Sequence, residues 1–152
     1  YLDIQKMRYG DRLDYQIRIP EELKKLYTVK LLIQPLAENS IYHGIKESDR
    51  KGTILITAGE EPGGVYLCVR DDGLGISQET LTILNADLKR GVTVSDGGYG
   101  IFNVNERIRL YFGRDYGLEL RSCTGEWTEA VIHLPKYIPE RTEWDVSDFD
   151  RR

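Results

Sequence analysis

Two pairs of strand-like runs restrict this chain more than any other feature. Residues 53–58 and 65–70 flank Gly59–Glu60–Glu61–Pro62–Gly63–Gly64, a segment rich in residues that turn the backbone. Residues 118–123 and 129–134 flank 124–128 in the same manner. Each pair reads as an antiparallel hairpin. In a fifth run Leu13, Tyr15, Ile17 and Ile19 alternate with polar residues, a half-buried strand stopped by Pro20. Helical patterns fill the rest. Leu2, Ile4 and Met7 read as the last turns of a helix ended by Gly10. A second helix spans about 29–45, a third runs from Ser77, its N-cap, to about Leu88, and a fourth covers 101–112. Ile101, Val104, Ile108 and Tyr111 form the buried stripe of that fourth helix. Strands that pair mostly antiparallel, with helices that do not alternate strictly with them, predict an α+β fold. The expected form is a two-layer α/β sandwich, with a mixed, mostly antiparallel sheet and helices on one face. A doubly wound parallel sheet is disfavoured.

A length of 152 residues suits one domain with a real core. Residues 13–135 form that domain in this reading, with 1–12 as the exit of an upstream helix and 136–152 as an acidic, aromatic tail. The net charge is −4 and no basic block is present, which argues against a nucleic-acid partner. No apolar run approaches the length of a membrane span. Cys68 and Cys123 lie in strand-like runs without metal-ligand spacing and read as buried, reduced thiols of an intracellular protein. The opening Tyr1–Leu2–Asp3–Ile4–Gln5 reads as the start of a fragment.

The chemistry concentrates in one helix and two glycine segments. Along residues 31–44, Leu32, Leu36 and Ser40 recur at steps of four beside Ile33, Ala37 and Ile41, one apolar or small stripe. Glu38, Asn39 and His43 fall on another face, and Gly44 is a plausible stop. An ordinary amphipathic helix with a solvated face accounts for this stretch by itself; Pro35 inside it implies a kink or a later start. Asn39 offers a hard oxygen donor for Mg²⁺. In Asp71-x-Gly73-x-Gly75 a carboxylate at a strand end can accept a hydrogen bond from an exocyclic amine such as that of adenine, although Asp-Gly is also a common turn. Gly98-x-Gly100 directly before a helix leaves backbone N–H groups and a positive dipole end free for phosphate, or serves only as a hinge.

Taken in order, Pro35–Leu36–Ala37–Glu38–Asn39–Ser40–Ile41–Tyr42–His43–Gly44, the Asp71 box, and the segment from Gly98 through Asn103–Val104–Asn105–Glu106–Arg107 to Gly113 resemble the ATP-binding catalytic domain of bacterial sensor histidine kinases. The wording is that of the membrane-sensor subfamily typified by the LytS and YesM kinases, over essentially residues 1–135. The resemblance implies the Bergerat fold shared with the gyrase and Hsp90 ATPases. It implies that Asn39 holds Mg²⁺ and that Asp71, helped by Thr128, binds the adenine amine. Gly73 and Gly75 would shape the adenine pocket. Gly98, Gly100 and Ile101 would lie at the phosphates beneath a lid of about residues 85–98, and Glu38 and His43 would line the phosphate side as catalytic residues. It further implies ATP and Mg²⁺ as cofactors and an upstream dimerisation helix carrying the phospho-accepting histidine in a full-length homodimer. A response regulator would be the partner, and the domain would sit on the cytoplasmic side of a cell-membrane sensor.

Three departures stand out. Asp72 replaces a frequent asparagine, and Tyr42 replaces a frequent lysine, removing a phosphate-facing cation. Gly125–Glu126–Trp127–Thr128 replaces Gly-x-Gly-Thr, which would set an indole near the adenine end. ATP-hydrolysing clamps of the superfamily carry a glutamate four residues before the Mg²⁺ asparagine; Pro35 occupies that place and can neither bind a proton nor orient water. This favours transfer over hydrolysis. The competing readings are a related serine kinase and a nucleotide-dependent regulatory module without chemistry. His43 and His133 are the only histidines, and neither is a credible acceptor, so the chain is not expected to phosphorylate itself.

Overall fold

The computed structural model describes residues 1–25, 28, 30–46, 50–91 and 99–136. Five strands form one sheet in the order β1-β2-β3-β5-β4. They are β1 (Leu13–Arg18), β2 (Gly52–Glu61), β3 (Gly64–Asp71), β4 (Gly117–Cys123) and β5 (Trp127–Leu134). Only β1 and β2 run parallel; the remaining neighbours are antiparallel. Both predicted hairpins are present. The first is tighter than expected, because its strands continue to Glu61 and Gly64 and leave only Pro62 and Gly63 at the turn, Gly63 with φ 87°. Gly64 has no room for a Cβ, which would lie 2.0 Å from the Leu134 carbonyl oxygen. That close approach lets β3 pair with β5 to its end.

The two faces of the sheet differ, as the period of two along a strand requires. Ile54, Ile56, Val65, Leu67, Val69, Leu118, Leu120, Ala130, Ile132 and Leu134 are buried on one face. Helices α2 (Ile33–Asn39), α3 (Gln78–Arg90) and α4 (Tyr99–Phe112) supply Leu36, Leu81, Leu88, Phe102, Val104 and Ile108 to the same core. The other face carries ion pairs, among them Arg70 with Glu129 at 2.8 Å and His133 with Glu61 at 2.8 Å. The two-layer arrangement is therefore as expected. Helix α1 (Leu2–Tyr9) lies beside β1, tied by Lys6 to Asp14 and by the Tyr15 hydroxyl to Asp3. Edge strand β1 is only partly covered, and Ile17 is 55% exposed above an apolar groove of about 320 Å³ shared with Leu2, Tyr15, Ile19 and Ile33.

Several expected boundaries and burials shift. Helix α2 begins at Ile33 rather than near residue 29, so Pro35 falls in its first turn, where a missing N–H removes no intrahelical bond. Leu31 precedes it with φ 63°. Gly44 does not stop the helix; the chain continues through a widened π-helical turn, Ser40–Ile45, closed by the Lys46 N–H to the Ile41 carbonyl at 2.8 Å. Helix α3 starts at Gln78, with the Ser77 hydroxyl accepting from the Thr80 N–H, and runs on to Arg90 before Gly91 turns left-handed. On α4 the buried stripe passes through Phe102 and Asn105, while Tyr111 is exposed. Cys68 is buried, with its thiol pushed up to about 11 by burial, but Cys123 is only half-buried. The proposed lid residues 92–98, including Gly98, and the tail from residue 137 lie outside the described residues.

Candidate functional site

The first site element is the C-terminal half of α2 with its π turn. Leu32, Leu36, Ala37 and Ile41 are buried in the core and fix the roll of the helix. Ser40, which shares their stripe, is buried too, and its hydroxyl hydrogen-bonds to the carboxylate of Asp71. Gly44, four residues after Ser40, lies on the same side of the helix and is buried with it. A Cβ on Gly44 would lie 2.5 Å from Asp71 Oδ1. A Cβ on Gly73 would lie 2.4 Å from the Gly44 carbonyl oxygen. The widened helix and the Asp71 loop thus meet backbone to backbone, and glycine at both positions is what permits it.

Asp71 ends β3 and is 2% exposed. Its Oδ1 accepts the Gly73 N–H at 3.1 Å. Burial pushes its pKa above the usual carboxylate value; the bonds from Ser40 and the Gly73 N–H pull in the opposite direction. Thr128 on β5 stands directly opposite Asp71 in the sheet register. Beyond Gly73 the loop is stitched to the β4–β5 turn. Gly125 N–H donates to the Leu74 carbonyl at 2.6 Å, Ile76 N–H to Ser122 Oγ at 2.7 Å, and Thr124 Oγ1 to the Ile76 carbonyl at 3.0 Å. Gly75, φ 66°, has the Cys123 carbonyl oxygen 2.1 Å from where a Cβ would be. Glycine there closes the loop against the hairpin.

The third element is the start of α4. A Cβ on Gly100 would lie 3.1 Å from Asn39 Nδ2, so the first turn of α4 abuts the Asn39 side chain. Asn39 Nδ2 is buried and has no hydrogen-bond partner. An unspent amide N–H donor beside a helix N-terminus suits a phosphate oxygen, and the Oδ1 of the same carboxamide is the atom that a Mg²⁺ ion would require. Ile101 follows, half-buried against the core.

The structure therefore joins Asn39, Asp71, Gly73, Gly100 and, across the sheet, Thr128, with Gly75 shaping the loop beyond. Glu38 and His43 are exposed on the outer side of the helix. Glu38 Oε1 accepts from Gln34 Nε2 at 3.0 Å, and the His43 ring meets Tyr42 edge-on at 5.1 Å. The expectation that Trp127 crowds the adenine end is overturned. Strand alternation turns it to the opposite face of the sheet, where the Arg70 guanidinium lies 4.5 Å from its ring. Asp72 has a structural partner: its Oδ1 accepts the Thr53 N–H at 2.6 Å and ties the start of β2. Ser40 was counted only as a small member of a stripe; a hydroxyl among apolar residues four apart was the available signal.

This constellation is that of a nucleotide-binding domain. Residues 26–138 match the family described as histidine kinase-, DNA gyrase B- and HSP90-like ATPase, and the chain belongs to that family. It is 36% identical over 135 residues, 89% of its length, to sensor histidine kinase YesM of Bacillus subtilis. It is 28% identical over 144 residues to sensor protein LytS of Bacillus anthracis. It spans 22% and 24% of those relatives' lengths. Among solved structures, the catalytic domain of histidine kinase ThkA superposes with a TM-score of 0.60 at 15% identity, covering 90% of this chain and 86% of that one, a likeness of fold. Family and relatives together make this an ATP-binding catalytic domain of the sensor histidine kinase type.

Proposed function

We propose that the chain is the catalytic part of a longer sensor kinase, which passes the γ-phosphoryl group of ATP to a histidine on upstream dimerisation helices. A response-regulator aspartate then receives it, and the assembly is a homodimer on the cytoplasmic side of a membrane. In this reading residues 13–135 serve as the ATP-binding domain and 1–12 as the exit of the linker; among the described residues no helix is long and apolar enough to cross a membrane. The observation that carries the reading is the convergence of Asp71, Asn39 and the start of α4 around the widened turn.

Each residue has a task. The ionised Asp71 accepts the adenine exocyclic amine, and Thr128 extends that polar edge. Gly73 lets the base approach the backbone, and Gly75 holds the loop that floors the pocket. Gly100 and Ile101, in the first turn of α4, offer its N–H groups to the phosphates, a task that the sequence reading shares with Gly98. Asn39 is the ligand for Mg²⁺, which neutralises phosphate charge when bound. Glu38 and His43 border the phosphates at the mouth of the site. In the transfer the acceptor imidazole's lone pair forms the P–N bond as the β–γ bridging P–O bond breaks, and ADP leaves. The domain contributes positioning and electrostatics rather than a covalent intermediate.

The test is to join this chain to its upstream segment and incubate it with ATP·Mg²⁺. Acid-labile phosphate, lost in Asn39→Ala, is expected. Acid-stable phosphate would identify a serine kinase, and tight binding without transfer a regulatory module. Because Pro35 stands in place of a water-activating base, steady release of inorganic phosphate should be negligible; turnover abolished by Asn39→Ala would refute a transfer role.

A further inference from the structure

Asp71, Thr128 and Ser122 lie in one row across the end of the sheet. Asp71 of β3 is opposite Thr128 of β5, and Thr128 is opposite Ser122 of β4. Alternation along each strand turns all of them to the face that the helices cover, where Val69, Ala130 and Leu120, two residues further into the sheet, are buried. The row ends at Ser122, whose Oγ makes three contacts. It accepts the Ile76 N–H at 2.7 Å. It lies 2.7 Å from the Trp127 carbonyl oxygen and 3.4 Å from Thr128 Oγ1.

A hydroxyl has one proton and two lone pairs. A carbonyl has no proton, so the short contact with Trp127 takes the proton of Ser122. The Ile76 N–H takes one lone pair. Only a lone pair is left for Thr128, so in that contact the Thr128 hydroxyl is the donor. What Thr128 then shows to the space beside Asp71 is its own lone pairs.

We propose that Ser122 is a positioning residue for base recognition: it holds Thr128 as a hydrogen-bond acceptor beside the Asp71 carboxylate, so that the group read there must be a donor. The inference rests on the ATP-binding reading of Asp71. Two adjacent acceptors suit an exocyclic amine, which has two N–H groups to give. They oppose a carbonyl oxygen at the same place, which sets lone pairs against lone pairs. A Thr128 proton can serve such a carbonyl only by leaving Ser122. The row thus favours the 6-amino purine adenine over the 6-oxo purine hypoxanthine, and Ser122 contributes without touching the base.

Binding of ATP·Mg²⁺ and of inosine triphosphate with Mg²⁺ to the 152-residue chain, measured by calorimetry, tests the assignment. The readout is the ratio of the two affinities, which a general loosening of the loop does not move. The wild type should prefer ATP. In Ser122→Ala the Thr128 hydroxyl is free to donate, and the preference should fall roughly three- to tenfold, the worth of one neutral hydrogen bond. Ser122→Thr keeps the hydroxyl and should keep the preference. Ser122→Cys fills the same space with a weaker acceptor, should behave as Ser122→Ala does, and replaces it if the alanine variant does not fold. Thr128→Val should lower the preference by a similar factor, and adding Ser122→Ala to it should change the ratio no further, as when one residue acts through another. Equal affinity of the wild type for the two nucleotides, an unchanged ratio in the Ser122 or Thr128 variant, or a further drop in the double variant overturns the role of Ser122. Asp71→Ala is the control for the site itself: a wild type that binds neither nucleotide, or affinities untouched by Asp71→Ala, overturns the ATP-binding reading as well.

Discussion

At the scale of single residues, the role proposed for Asp71 comes at the expense of stability. Folding takes a carboxyl of ordinary pKa 3.8 out of water and raises it. The native state therefore binds more protons than the unfolded chain between 3.8 and the raised native value. Stability falls as pH rises through that window, while the ionised form that accepts an amine becomes populated. Asp71→Asn should melt at higher temperature than the wild type at about pH 7.5, and the difference should shrink toward about pH 4. The same variant should bind ATP·Mg²⁺ roughly 10- to 100-fold more weakly, the worth of a hydrogen bond to a charged group. Thermal melts at several pH values and calorimetry check both. A substitution that leaves melting and binding unchanged would remove Asp71 from the site. The position of this residue at a strand end was legible in the sequence; its partner Ser40 was not, because the packing of α2 against the end of β3 is a contact between segments 31 residues apart.

At the scale of elements, α4 clamps the end of α3. Asn105, 3% exposed, donates to the Leu88 carbonyl at 2.9 Å and accepts the Leu118 N–H at 2.9 Å. Arg109 donates to the Leu88 and Lys89 carbonyls at 2.8 and 2.7 Å. Carbonyls at a helix C-terminus have no intrahelical partner, and cationic side chains also suit the negative end of the helix dipole. One side chain of α4 thus joins α3 to β4, and Gly117 leaves room, since a Cβ there would lie 2.7 Å from Asn105 Oδ1. Asn105→Ala should destabilise the protein by about 1–3 kcal/mol, because it strands the buried Leu118 N–H, while the Leu88 carbonyl keeps Arg109 and the Gly91 N–H as donors. Urea unfolding measures this; a loss below about 0.5 kcal/mol would mean that water replaces the lost bond. The helical pattern of α4 was visible in the sequence. The buried asparagine was not expected on the stripe, because polar residues at helix spacing ordinarily face solvent.

At the scale of the whole molecule, the site exists only when the sheet is assembled. Asn39, Asp71, Gly100 and Thr128 come from four separate elements, and β3 pairs with β5, which lies more than 50 residues further along the chain. A ligand held by all of them binds the native state and not the unfolded chain. ATP·Mg²⁺ at about 100 times its Kd should then stabilise the fold by about 2.7 kcal/mol, read as a rise in Tm. The rise should be absent in Asp71→Asn. An equal rise in that variant would place nucleotide binding elsewhere on the chain.

The sequence by itself determined the elements and the order of the motifs. Alternation marked the strands, glycine and proline marked the turns, and spacing marked the helices, because these signals are local. It also put Pro35, which carries no ionisable group in any conformation, four residues before Asn39. Only the tertiary structure decided which side chains meet. Gly44 and Ser40 close against Asp71, and Trp127 meets Arg70 on the far face of the sheet. Each depends on distances between segments far apart in the chain, and no local pattern encodes them.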